Sequence, residues 1–226
     1  MNVPLRLMLP HAWRWPHMSY AARCAQLALD ARMNAQRYAA IAAEPDTDPY
    51  AYDAITRYLP GGLRRVLEVG AGTGTYTAGL PGKERYANEP VESRWATLRA
   101  KVPDVQRIGG TAYALHAATD TFDAVVVLHV LHHLADRPRA WAEWARVLKP
   151  GGRLVLVEPR HTWRRAARLG YVWATEYRTT RDPSTYATHD YCTRREIRAL
   201  CGGAGLTLVD LPRIRRRIVA FARKAA

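Results

Sequence analysis

Eleven consecutive residues, Val66-Leu67-Glu68-Val69-Gly70-Ala71-Gly72-Thr73-Gly74-Thr75-Tyr76, constrain this chain more than any other feature. Val66, Leu67 and Val69 supply a buried strand. Glycines at alternate positions then let the backbone curl tightly and approach a ligand. The pattern predicts a helix from Gly74, whose exposed N–H groups would favour an anionic group. Spacing narrows the reading further. A dinucleotide fingerprint, G-x-G-x-x-G, would place its third glycine at position 75, which is Thr75; here it comes one residue early, at Gly74.

The 226 residues suit one α/β domain with a full core. No stretch reaches the length of a membrane span, and Pro4, Pro10 and Pro16 interrupt what would otherwise be a signal peptide. A cytoplasmic protein with no membrane partner is therefore expected. Cys24, Cys192 and Cys201 form no C-x-x-C pair, so neither a disulfide scaffold nor a zinc site is expected. The net charge of +14 invites a nucleic-acid partner. Only Lys83, Lys101, Lys149 and Lys224 are lysines, however, and an arginine- and alanine-rich composition also follows from GC-rich coding.

Strand and helix signals alternate along most of the chain. Residues 18–43 read as one or two helices, and Tyr50–Leu59 as another that stops at Pro60-Gly61-Gly62. Strands are expected near 65–70, 84–88 and 105–108, at Asp123–His129 and Arg153–Val157, and at Leu206–Leu211 and Arg217–Ala222. Helices are expected from 74, over 91–101, 137–148 and 193–201, with Lys149-Pro150-Gly151-Gly152 as a turn. Asp123–His129 is continuously apolar in its centre, as in a strand buried on both faces of a parallel sheet. The alternation implies a parallel sheet with helices on both faces.

The loop, read as E-x-G-x-G-x-G, resembles motif I of the class I S-adenosylmethionine (SAM) dependent methyltransferases. Other segments carry the resemblance in the same order. Glu89 follows Glu68 by 21 residues, a separation at which a carboxylate can accept from both ribose hydroxyls. Thr121–Leu134, with its Leu131-His132-His133-Leu134 run, resembles the family's fourth-strand segment, and Arg146–Leu154 its R-x-L-K-P-G-G-x-L turn. The resemblance covers residues 60–160, and within the family it is closest to small-molecule enzymes related to quinone biosynthesis. It implies a Rossmann-like fold: seven strands, mostly parallel, the last antiparallel. It also implies a helical cap or substrate lid over 1–60, and a methyltransferase domain over 61–226 with an inserted lid at about 160–192.

The cofactor implied is SAM. By resemblance, Glu68 and Gly70 hold its methionine end, Gly72 and Gly74 give backbone clearance, Glu89 takes the ribose and Ala112 the adenine. Ala71 and Pro90 flank these positions. Leu128 and His129, at the end of the fourth strand, sit near the transferable methyl. The chain departs from the family in one place: Gly110-Thr111-Ala112 stands where relatives often carry Asp-Ala. The Thr111 hydroxyl accepts from the adenine amino group more weakly than a carboxylate would.

Methyl transfer from a sulfonium needs alignment first, and a base only where the acceptor must lose a proton. Candidate bases at carboxyl strand ends are His129, His132, His133, Glu158 and His161, with His129 and His133 chosen as catalytic. Each also has a packing or capping reading. Trp163, Tyr171, Trp173, Tyr177, Tyr186 and Tyr191 mix with six arginines over 160–192, a composition suited to a planar or acidic small molecule. A homodimer stays open. The alternative acceptor is RNA, supported by Arg164-Arg165 and Arg215-Arg216-Arg217 but without an N/D-P-P-Y motif after the fourth strand. A third reading keeps the fold without methyl transfer, as a cyclisation or rearrangement catalyst or an accessory partner.

Overall fold

The computed structural model describes residues 48–134, 136–159, 192–214 and 217–226. The expected helices over 18–43, the lid at 160–192 except its last residue, and His161 lie outside the described residues.

Helix α1 (Pro49–Tyr58) starts at Asp48, whose side chain accepts from the Tyr50 N–H, with proline in the first turn where no donor is lost. Strand β1 (Arg65–Val69) follows. The chain continues through β2 (Glu84–Asn88), α2 (Trp95–Lys101), β3 (Gln106–Arg107), β4 (Gly110–Thr111), β5 (Ala114–Leu115) and β6 (Phe122–Leu128). It closes with α3 (Arg137–Val147), β7 (Leu148–Pro159), α4 (Arg194–Gly203), β8 (Leu206–Asp210) and β9 (Arg217–Lys224).

Seven strands form one sheet in the order β3-β2-β1-β6-β7-β9-β8. Neighbours from β3 to β7 pair in parallel, and β9 runs antiparallel to both β7 and β8. The mostly parallel Rossmann-like sheet with an antiparallel last strand is thus present. Alternation along the central strands splits the core in two. Leu67, Val69, Val125, Val127, Leu154 and Leu156 face Trp141 and Trp144 of α3 and Ile197 of α4. Val66, Ala124, Val126, Leu128, Val155 and Val157 face Ala51, Ala54, Ile55 and Tyr58 of α1. Among the described residues, no helix is long and apolar enough to cross a membrane.

Two local readings are corrected. No helix starts at Gly74: the segment holds turns and a single 3-10 turn at Thr77–Gly79. Pro81 arrives too soon, and it pushes Leu80 into an extended conformation (ψ 136°), which ends the helix before a second turn. The segment at 149–152 is not a separate turn but a bulge within β7, between the pairs Phe122–Leu148 and Ala124–Arg153. A two-stranded hairpin, β4–β5, joins β3 to β6, where the sequence reading named no element. It depends on Gly110, at φ 86°, where a Cβ would lie 2.1 Å from the Ala114 carbonyl oxygen.

Trp144 is fully buried between sheet and helices. Trp144→Ala should cost about 3–5 kcal/mol, as large-to-small core changes do. Urea unfolding of the variant against the parent measures it.

Candidate functional site

Parallel pairing aligns the carboxyl ends of β1, β2, β6 and β7 along one edge, where open α/β sheets present their loops to ligands. The three loop glycines meet that edge differently. Gly70 (φ 72°) packs so tightly that a Cβ would fall 2.4 Å from Val130 Cγ2. Gly74 (φ 79°) rests on Leu98 of α2, 3.1 Å from a built Cβ. Gly72 (φ 57°) faces open space, with nothing within 4 Å. Two of the glycines thus serve packing, and the middle one leaves room for a ligand. The loop is tied to β2 by one acceptor, because the Gly70 and Ala71 N–H groups both donate to the Asn88 carbonyl, at 2.7 and 3.0 Å.

Glu89 follows Asn88 directly. Its carboxylate is almost fully buried and accepts from the Gly72 N–H at 2.8 Å and the Val91 N–H at 2.8 Å, with Arg94 3.3 Å away. Arg94 donates as well, so three of the carboxylate's roughly four acceptor positions are taken and one remains for a hydroxyl donor. The short peptide through Pro90 brings the Val91 N–H back onto Glu89, while the Gly72 N–H reaches it from the glycine loop. The Asn88 side chain donates to the Ile108 and Gly110 carbonyls at 3.0 and 3.2 Å, and so fastens the hairpin to the same edge. Thr111 and Ala112 sit on that hairpin. The Thr111 hydroxyl accepts from the Tyr113 N–H at 3.3 Å, a local turn bond.

Glu68 lies under the loop, buried, and accepts from the Thr77 hydroxyl at 2.5 Å. Burial pushes its carboxyl up from 4.5 to about 8; the Thr77 bond pulls the other way and the nearby Glu89 charge adds to the rise. Leu128 packs into the core facing α1, so it offers its backbone to the edge.

Beyond β6 the chain turns sharply at His129, which has a left-handed φ of 57°. Its Nε2 lies 3.1 Å from Asp48 Oδ2, off the line a hydrogen bond requires. His132 is buried instead. Its Nδ1 is 2.6 Å from Glu158 Oε2, while Glu158 Oε1 accepts the Val130 and Leu131 N–H groups at 2.6 Å each. Glu158 is fully buried, and desolvation raises its carboxyl to about 7, against the pull of His129, Arg137 and the two N–H donors. This carboxylate anchors the loop after β6. His133 is half-buried, its ring 4.0 Å from that of His132.

The structure therefore gathers Gly70, Ala71, Gly72, Glu89 and Pro90 on one edge, with Glu68 beneath and the Thr111–Ala112 hairpin tethered alongside. His129 and His133 stand at the next strand end. Sequence reading passed over Asn88, Asp48, Tyr76 and Arg217. Asp48 before a proline carried a helix-start signal; the other three carried none. Among the described residues, no group of three or more His, Cys, Asp or Glu is arranged to hold a metal ion.

Comparison with known proteins finds that residues 67–156 match the family described as a methyltransferase domain. An uncharacterized methyltransferase of Mycobacterium tuberculosis is 41% identical over 126 residues, covering 54% of this chain and 49% of the relative. A demethylmenaquinone methyltransferase of Renibacterium salmoninarum is 39% identical over 111 residues, covering 46% and 44%. The chain thus spans about half the length of the curated relatives it matches. Among solved structures, the 1,6-didemethyltoxoflavin-N1-methyltransferase of Burkholderia thailandensis, with bound 1,6-didemethyltoxoflavin and S-adenosylhomocysteine, superposes with a TM-score of 0.69. It is 20% identical and covers 92% of each chain, a likeness of fold.

Two measurements follow from the loop. Gly70→Ala should unfold at markedly lower urea than Gly72→Ala, because only Gly70 combines positive φ with a packed neighbour; Gly72→Ala should lose no more than about 2 kcal/mol. The second concerns pH. Between 4.5 and about 8 the native state retains the Glu68 proton that the unfolded chain releases, so the Glu68 contribution to stability is fully present below 4.5 and is lost as pH rises to about 8. Glu158 contributes in the same direction up to about 7. Melting midpoints over this range should therefore decline less steeply in Glu68→Gln than in the parent.

Proposed function

We infer, from the match of residues 67–156 to a family described as a methyltransferase domain, that the protein transfers a methyl group from SAM to an oxygen, nitrogen or carbon atom of a small-molecule acceptor. One observation carries the reading: the space above Gly72 opens directly beside the Glu89 carboxylate, whose bonding capacity is only partly used. A Cβ at Gly72 would fill that space. The residues present suit the cofactor, with Glu89 for a ribose hydroxyl, and Glu68 and Gly70 for the methionine end. Gly74, Ala71, Pro90 and Leu128 shape the walls, and the Thr111–Ala112 hairpin takes the adenine.

The cofactor supplies a methyl group on a sulfonium, which leaves a neutral thioether behind. The protein's share is orientation and exclusion of water, worth several kcal/mol. Relatives named for demethylmenaquinone and 1,6-didemethyltoxoflavin support a small-molecule acceptor here. The arginines and aromatic residues of 160–192 suit one that is planar or acidic. In this reading residues 1–60 and 160–192 cap the edge of a cytoplasmic enzyme. His129 serves as base where the acceptor must lose a proton, with His133 near it.

Methyl-labelled SAM, incubated with the protein and either a small-metabolite extract or total RNA, separates the acceptor classes. Label is expected in small molecules, with one S-adenosylhomocysteine formed per methyl; label confined to RNA would sink the reading. Glu89→Ala should weaken S-adenosylhomocysteine binding roughly 10- to 100-fold, the range for losing a charged hydrogen bond to a ribose hydroxyl. Calorimetry on the folded variant measures this, and an unchanged affinity removes Glu89 from the site.

A further inference from the structure

Asp48 collects partners from three distant parts of the chain, and it lies outside the region that matches the methyltransferase domain. Its carboxylate is almost wholly shielded from solvent. Oδ1 accepts the Tyr50 N–H at 3.0 Å and so caps α1. Oδ2 accepts Arg217 Nε from β9 at 2.5 Å and lies 3.1 Å from His129 Nε2 at the end of β6. The Asp48 N–H donates to the Tyr76 hydroxyl at 2.9 Å, just past the glycine loop. The Tyr76 ring stands 6.4 Å from the His129 ring.

We propose that Asp48 is a positioning residue for His129: it holds the imidazole proton on Nε2 and leaves Nδ1 as the lone pair that takes the acceptor's proton. This rests on the methyl-transfer reading above. The argument is electrostatic. Nε2 is buried and has no hydrogen bond among the described residues. A carboxylate oxygen 3.1 Å from that nitrogen, though off the hydrogen-bond line, raises the energy of a lone pair there and lowers that of an N–H. The left-handed backbone at His129 is what turns the ring toward α1, and a non-glycine residue holds that conformation only when its surroundings fix it. The His129 N–H donates to the Val157 carbonyl at 2.9 Å and supplies part of that restraint.

In the step itself the acceptor's X–H proton passes to Nδ1 and its bonding pair forms the X–CH3 bond. The C–S pair stays on sulfur as a thioether, and His129 becomes an imidazolium. That cation faces Asp48 on one side and the Glu158 carboxylate across the edge, with Arg217 already sharing Asp48.

Imidazole 15N spectra of the full chain, at about pH 8 and thus above the ordinary imidazole range, test the proposal. The His129 signals are assigned by their loss in His129→Gln. In the parent, Nε2 should resonate as a protonated nitrogen and Nδ1 as a bare one. Asp48→Ser keeps a capping oxygen but withdraws the carboxylate, so both nitrogens should move toward the averaged position of exchanging tautomers. A parent spectrum showing Nδ1–H overturns the proposal without any variant, as does an unchanged spectrum in Asp48→Ser. S-adenosylhomocysteine calorimetry on the same samples should show equal affinity in parent and Asp48→Ser. Absence of binding to the parent would instead count against the methyl-transfer reading, with the spectra still deciding the Asp48–His129 pairing.

Discussion

Four carboxylates buried along one sheet edge set the arrangement of everything around them. Glu68, Glu89, Glu158 and Asp48 are each nearly or fully removed from water, and a buried carboxylate without partners is too costly to persist. Each therefore dictates where donors must come. Glu89 draws the Gly72 and Val91 N–H groups together; Glu158 draws those of Val130 and Leu131 together with His132; Asp48 draws the start of α1 and Arg217. The loops at this edge are ordered by the need to satisfy these groups, since little apolar surface there could do it.

This arrangement also reconciles the chain's basic charge with its proposed ligand. Several arginines among the described residues are engaged locally. Arg64 and Arg65 pair with Glu84, Arg85 with Asp104, Arg107 with Glu92, and Arg146 with Glu143. Such pairs add little stability, but they interrupt the run of positive charge among the described residues. The edge itself carries carboxylates. A cofactor bearing a sulfonium and an ammonium gains from such surroundings, whereas a polyphosphate would be repelled. The charge distribution thus supports the distinction that glycine spacing suggests.

Most of the sheet was legible because parallel strands buried on both faces read as apolar runs, as at 66–69 and 123–128. The glycine loop and Glu89 were legible because their partners lie close in sequence. The failures have specific causes. A helix after Gly74 was expected from the usual strand–loop–helix order, but Pro81 leaves no room for it, and α1 from before the loop covers Val66, Ala124 and Val126 instead. The hairpin at 110–115 hangs on Gly110 and on Asn88, 22 residues apart, so no local pattern announces it. Arg217 reaches Asp48 across 169 residues, a pairing that periodicity cannot encode.

The short connection after Gly74 has a consequence for the site. A full helix there would present a row of N–H groups and a positive dipole end to the ligand, which favours an anion. With that helix reduced to one turn, the charge at the loop comes chiefly from the Glu89 carboxylate. Glu68, kept near neutrality by burial, can become an anion when a cationic group settles beside it, because that group offsets the desolvation that raised its carboxyl. Cofactor binding and ionisation at Glu68 are then linked. The lost helix and the buried acid act in the same direction, toward a loop that selects for positive charge.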